Sequence, residues 1–171
     1  MEHVAQFEAL ILPHLDAAYT LARYLLRDEH DAQDVVQDAA LRAFKHFGGY
    51  RGGDARAWFL TIVRNCCHTW QRQRARRRVV PLSPEHDAAA IEPRATDASA
   101  NERSDRAAIE RAVAALPAEY REVIVLREVE GLSYAEISEV AGVPIGTVMS
   151  RLSRARQRLA FALGRTVKEA G

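Results

Sequence analysis

No apolar run in these 171 residues approaches the roughly 20 that a helix needs to cross a bilayer. Nothing in the sequence resembles a signal peptide, so the expected location is the cytoplasm, with no stable membrane insertion of the chain's own. Cysteine is nearly absent as well. The only two, Cys66 and Cys67, are adjacent and precede His68. Adjacent cysteines on a helix point in different directions and rarely bridge, and three ligands without a distant fourth make a poor zinc site. Buried helix positions are the expected role, with a redox-sensitive thiol as the alternative; no metal or cofactor is expected. Catalysis by Cys66 or Cys67 with His68 would need an acid or orienting partner, and none stands nearby in sequence, so an enzyme is not expected.

Net charge is scarce too, at +1, which taken alone argues against a nucleic-acid partner. The average hides a partition. Residues 51–80 hold eight arginines against Asp54, and residues 145–171 hold six basic residues against Glu169. Acidic stretches lie between and before these blocks, including Asp28, Glu29, Asp31, Asp34 and Asp38. The 48% hydrophobic content supports one domain or two small ones.

The clearest local signal lies between Leu132 and Arg156. Ser133 with Glu136 forms a capping-box pattern, and Tyr134, Ile137 and Ala141 recur at helical spacing. Gly142 can take the left-handed conformation that ends a helix, and Pro144 cannot continue one. A second helix is predicted from near Ile145. Its stripe Val148, Leu152, Ala155, Leu159 and Leu163 packs inward, while Thr147, Ser150, Arg151, Arg154 and Arg158 point elsewhere. This is a helix-turn-helix suited to a DNA groove; an ordinary helix pair with a solvated basic face is the alternative.

Upstream, helical spacing predicts a long helix over residues 4–26, kinked at Pro13 and ended by Arg27–His30. A second runs over 32–47, with Val36, Ala39, Ala40, Ala43, Phe44 and Phe47 buried. Its other face groups Asp34, Gln37, Asp38, Leu41 and Lys45, putting a leucine among polar groups where solvent rewards nothing. A scattered surface leucine is the alternative. A third helix starts at Asp54 and carries Trp58, Phe59, Ile62 and Val63 as its apolar side. Beyond it, residues 70–78 interleave Trp70 with arginines, a pattern suited to phosphates and unpaired bases or to a solvated tail.

Periodicity stops from Val79 to Arg103, where Pro81, Pro84, Pro93 and scattered acids read as a flexible acidic linker. Extended, 25 residues span about 80–90 Å, more than two duplex turns of about 34 Å. Helices are predicted to resume at Ser104–Leu116 and Pro117–Val129, completing a four-helix domain. The expected class is therefore all-α: a domain at 1–78, a linker at 79–103 and a helix-turn-helix domain at 104–171.

Leu116–Ile137 and Val143–Arg156 together resemble the C-terminal domain of bacterial sigma factors of the extracytoplasmic-function group. Asp31–Asp38 and Ala57–Asn65 resemble that group's N-terminal domain, so the likeness covers nearly the whole chain in order. The resemblance implies a dissociable subunit that binds core RNA polymerase and directs it to promoter DNA. It implies that Asp34, Gln37, Asp38 and Leu41 dock on the clamp helices of the largest polymerase subunit. It places Asn65 where the family's loop captures a flipped base of the minus-ten element, with Arg64, Trp70, Arg72, Arg74 and Arg76 supporting strand binding and Gln71 helping to read a base. Thr147, Ser150, Arg151, Ser153, Arg154 and Arg156 match the surface that reads the minus-thirty-five element. Met149 departs from the family's usual Lys or Arg there. An anti-sigma factor, often membrane-bound, is the further partner implied. An autonomous helix-turn-helix regulator is the competing reading; it leaves the Leu41 face and the first basic block without a task.

Overall fold

The computed structural model describes residues 1–78 and 99–164. Among these, every regular element is helical. Helix α1 (Glu2–Ile11) and α2 (Leu15–Leu26) are separated by a 3-10 turn at Leu12–His14. Pro13 has no N–H for the helical ladder, so the predicted kink is a break. The apolar stripe nevertheless runs on through Phe7, Ile11, Ala18, Leu21, Ala22 and Leu25, all buried. Arg27 ends α2 in the left-handed region (φ 58°), a conformation costing a non-glycine residue about 1–2 kcal/mol. Asp28 then caps α3 (Glu29–His46), accepting from the Asp31 N–H at 2.9 Å. The break between α2 and α3 is thus two residues long, and α3 starts three residues earlier than its spacing suggested.

Phe47 closes a small aromatic cluster: its ring stacks on Tyr50 at 5.7 Å and meets Phe7 edge-on at 5.3 Å. Asp54 caps α4 (Ala55–Arg77) through the Ala57 N–H. This helix is about 35 Å long at 1.5 Å per residue. Its first half is core, with Phe59, Leu60, Val63, Cys66 and Cys67 buried, and its last turns are basic.

The second half begins with α5 (Ala100–Ala114), four residues before the predicted start. Ser99 and Glu102 form a complete capping box there, so residues 100–103 are helix, with Ser99 as their cap, and not linker. The remainder of the predicted linker, 79–98, lies outside the described residues. After Leu116 and Pro117 come α6 (Ala118–Ile124) and a single π-helical turn at Val125–Val129. Helix α7 (Tyr134–Ala141) carries the Ser133–Glu136 capping box, and Gly142 ends it at φ 66° with its N–H on the Ser138 carbonyl. Helix α8 (Ile145–Ala162) follows Pro144. Val148, Leu152 and Ala155 enter a core with Val113, Tyr120, Leu126, Leu132, Ile137 and Val140.

The two halves pack on each other, α2 and α4 against α6 and α7. The contact is unusually charged for a buried surface. Arg121, buried, donates to the carbonyls of Tyr24 at 3.3 Å and Leu116 at 2.8 Å. Tyr24 lies in the last turn of α2, where carbonyls have no helical partner and a cation suits the helix dipole. Glu122, its side chain only 3% exposed, accepts from Arg64 Nε at 2.6 Å. Arg56 donates to the Glu130 carbonyl at 3.1 Å and faces Glu136 at 3.7 Å. Removing one member of a buried ion pair costs about 3–5 kcal/mol, because the other is left uncompensated. These contacts select one docking of the halves rather than a sliding apolar fit.

Candidate nucleic-acid interface

Helix α4 divides its predicted contacts by face. At 100° per residue, Asn65, Arg72 and Arg76 fall on one stripe, and all three are exposed. The other residues are committed within the protein. Arg64 is held by Glu122, as above. Gln71 donates its amide to the Leu25 carbonyl at 2.8 Å, serving the α2 terminus beside Arg121. Arg74 pairs with Asp31 at 2.6 Å. Trp70 is half-buried against the core, its indole nitrogen buried without a hydrogen-bond partner among the described residues. Free reading by Arg64, Gln71 and Arg74 is therefore not what this structure displays; their polar ends face other elements. A second correction concerns Asn65. The resemblance sets it by a loop, whereas α4 runs unbroken from Ala55 to Arg77 and Asn65 stands on its outer surface.

Helix α8 is open. Over its 18 residues it carries four arginines and no acid. Ile145, Met149, Ser153 and Arg156 form an exposed stripe, flanked by exposed Ser150 and Arg154. Thr147 and Arg151 are half-buried, the latter 3.5 Å from Glu119. Arg156 is paired at the surface with Glu128 at 2.7 Å, and Arg154 reaches the Tyr120 hydroxyl at 3.5 Å. An exposed pair such as Arg156–Glu128 is worth about 0–1 kcal/mol, so a phosphate or base edge can replace Glu128 at small cost.

On α3, Asp34, Gln37, Asp38 and Leu41 are exposed, with Leu41 at 66%. Phe44, predicted as core, is 43% exposed. It lies one turn from Leu41, and the two make an apolar edge beside the Asp38–Arg42 pair. The signal for it was the i, i+3 spacing to Leu41. Sequence reasoning also missed Arg56, Arg121 and Glu122, whose roles exist only in the docked halves. Cys66 and Cys67 are buried in α4, and burial pushes the Cys67 thiol up to about 12. At neutral pH such a thiol is protonated and a poor nucleophile. Among the described residues no group of His, Cys, Asp and Glu is placed to hold a metal ion, and no helix is long and apolar enough to cross a membrane.

Comparison with known proteins gives this geometry a lineage. Residues 10–77 match the model of Sigma-70 region 2 and residues 106–159 that of Sigma-70, region 4. Over 153 residues the chain is 34% identical to the ECF RNA polymerase sigma factor SigE of Mycolicibacterium smegmatis, covering 90% of this chain and 60% of that protein. It is 35% identical over 159 residues to the ECF sigma factor SigM of Mycobacterium tuberculosis, covering 92% and 77%. The sigma factor RpoE of Bartonella quintana, solved with the anti-sigma factor NepR, superposes with a TM-score of 0.76 at 31% identity, over 96% of this chain and 99% of that one. With both signature regions present in order and relatives of this similarity over most of its length, the chain belongs to the extracytoplasmic-function group of the sigma-70 family.

Proposed function

We propose that this protein binds core RNA polymerase through the exposed α3 face, directs it to promoters and reads two DNA elements. The observation that carries the reading is the pairing of an acid-free, arginine-bearing recognition helix with a separate basic helix on one chain. Asn65, Arg72 and Arg76 supply the downstream surface; Met149, Ser150, Ser153, Arg154 and Arg156 supply the upstream one. An autonomous regulator would need only α7 and α8, and would leave the Leu41–Phe44 edge in water.

The docked halves give the reading a mechanism. In the free chain Arg64 is engaged by Glu122, beside the downstream surface, and α4 is covered by α7. Polymerase binding separates the halves, and the unstacking of a promoter base, worth a few kcal/mol, is offset by polymerase contacts and strand capture. The chain alone therefore binds duplex promoter weakly. An anti-sigma factor acts in the opposite sense, holding the halves together; a groove of about 700 Å³ between α2 and α5, lined by Asp16, Arg23, Asp105, Ile109 and Val129, offers it a seat. The protein works in the cytoplasm.

The test is reconstitution. Core polymerase with the purified chain should start transcripts at discrete promoters, and core alone should not. Tight sequence-specific duplex binding by the chain alone, with no stimulation of core, contradicts the proposal.

A further inference from the structure

The first turns of α8 are chemically unusual for a helix that enters a DNA groove. From Ile145 to Ser150 the side chains are Ile, none, Thr, Val, Met and Ser, with no charged or amide group. Val148 is fully buried and Thr147 half-buried. The Ser150 hydroxyl donates to the Thr147 carbonyl at 3.0 Å. The large side chains left facing outward are Ile145, 47% exposed, and Met149, 53% exposed, beside the exposed Ser150, whose hydroxyl hydrogen is turned back to the helix. They stand one turn apart, about 6 Å along the axis, a span of nearly two base steps at about 3.4 Å each. Arg151, two residues after Met149, is half-buried and turned to Glu119, and the exposed arginines Arg154 and Arg156 come more than a turn later. In helix-turn-helix docking, residues at the start of the recognition helix meet base edges, so the apolar pair occupies the reading end and the cations stand further along.

Major-groove edges offer donors, acceptors and one apolar group, the 5-methyl of thymine. An apolar edge without donors discriminates only through that group. We propose that Met149, with Ile145 beside it, reads thymine in the minus-thirty-five element by packing against its 5-methyl group. The inference rests on α8 being the upstream reader and adds what it reads. It also explains why two large apolar side chains are left in water on a helix otherwise built to meet a charged ligand: the surface is continuous with Ser153 and Arg156 on the same stripe, and its occupant is the base edge.

The experiment uses holoenzyme assembled from core polymerase and the full chain, with a promoter library randomised in the minus-thirty-five element. Selection should enrich thymine at one or two adjacent positions. Replacing that thymine with deoxyuracil, which lacks only the methyl, should weaken binding roughly fourfold, the worth of burying one methyl group. Met149→Ala should bind the two templates within a factor of about two of one another, and Met149→Arg should move the selected base from thymine toward guanine. Met149 is half exposed and takes no part in the core cluster, so both variants should fold. Three results overturn the proposal: no enrichment of thymine, equal binding of thymine and deoxyuracil by the unaltered protein, or unchanged deoxyuracil sensitivity in Met149→Ala. A library with strong minus-ten selection and no minus-thirty-five selection overturns the assignment of α8 itself, and the proposal with it.

Discussion

Helices α4 and α8 are both basic and both proposed to meet promoter DNA, yet their arginines live in different surroundings. On α8, Arg151 and Arg156 pair with Glu119 and Glu128, acids whose side chains are 54% and 51% exposed. On α4, Arg64 pairs with Glu122, buried in the other half of the molecule. The first kind of pair exchanges readily for a phosphate; the second breaks only when the halves part. A basic helix is thus a surface open to DNA or a latch between domains according to the acid it faces, and the sequence of the helix alone does not say which.

The largest expected effect separates the halves by task. Leu41→Arg should weaken association with core polymerase on the order of a hundredfold, since a buried leucine side chain is worth about 1.5–3 kcal/mol and a charge replaces it. Arg154→Ala, on α8, should leave that association unchanged while reducing upstream promoter selectivity. Affinity measured by fluorescence anisotropy checks both; equal losses would erase the division of labour.

Next comes the latch. A double-mutant cycle of Arg64→Ala and Glu122→Ala, read by urea unfolding of the whole chain, should show a coupling of about 1–3 kcal/mol. A cycle between Arg156 and Glu128 should show under about 1 kcal/mol. Reversal of that order would break the contrast between the two arginine settings.

A smaller effect appears in alkali. The Cys67 thiol is pushed up to about 12 by burial, whereas an unfolded thiol ionises near 8.5. Between these values the unfolded chain holds fewer protons than the folded one. Stability therefore falls as pH rises, by up to about 1.4 kcal/mol per unit. Urea midpoints taken at about pH 8 and 10 should fall less steeply for Cys67→Ala than for the unaltered chain; parallel slopes would place the thiol in water in the folded state.

The smallest concerns the turn before α8. Gly142 sits at φ 66°, and a methyl group added there would meet nothing within 4 Å, so Gly142→Ala meets backbone strain alone and should cost about 1 kcal/mol. Gly48, at an ordinary φ in the N-terminal half, also has open space. Gly48→Ala should leave the melting temperature unchanged or raised, and an equal fall in both would remove the conformational reason for glycine at 142.

How much of this could be read beforehand follows from the range of the forces involved. Helix α7 and the start of α8 were legible to the residue because these limits are set within four residues, by Ser133 with Glu136, by Gly142 and by Pro144. The start of α5 carried the same signal in Ser99 and Glu102, obscured by the proline-bearing acidic stretch before it. The sidedness of Phe44 was not legible, since it stands at the border between the buried stripe and the Leu41 face of α3, and only the packing against α1, where it meets Phe7, decides how far it is covered. Least legible were Arg64, Gln71 and Arg74. Their partners Glu122, Leu25 and Asp31 lie 58, 46 and 43 residues away in sequence, and nothing local distinguishes them from Arg72 and Arg76, which remain exposed.

In the proposed mechanism the free chain is closed across α4 and opens on polymerase. Energy transfer between dyes on Gln73→Cys of α4 and Gln157→Cys of α8, both exposed positions, tests it directly, because the native thiols are buried and label slowly. Transfer should be high in the free chain, lower in the Glu122→Ala variant and lowest on core polymerase. Identical transfer in the free chain and on polymerase would contradict the account.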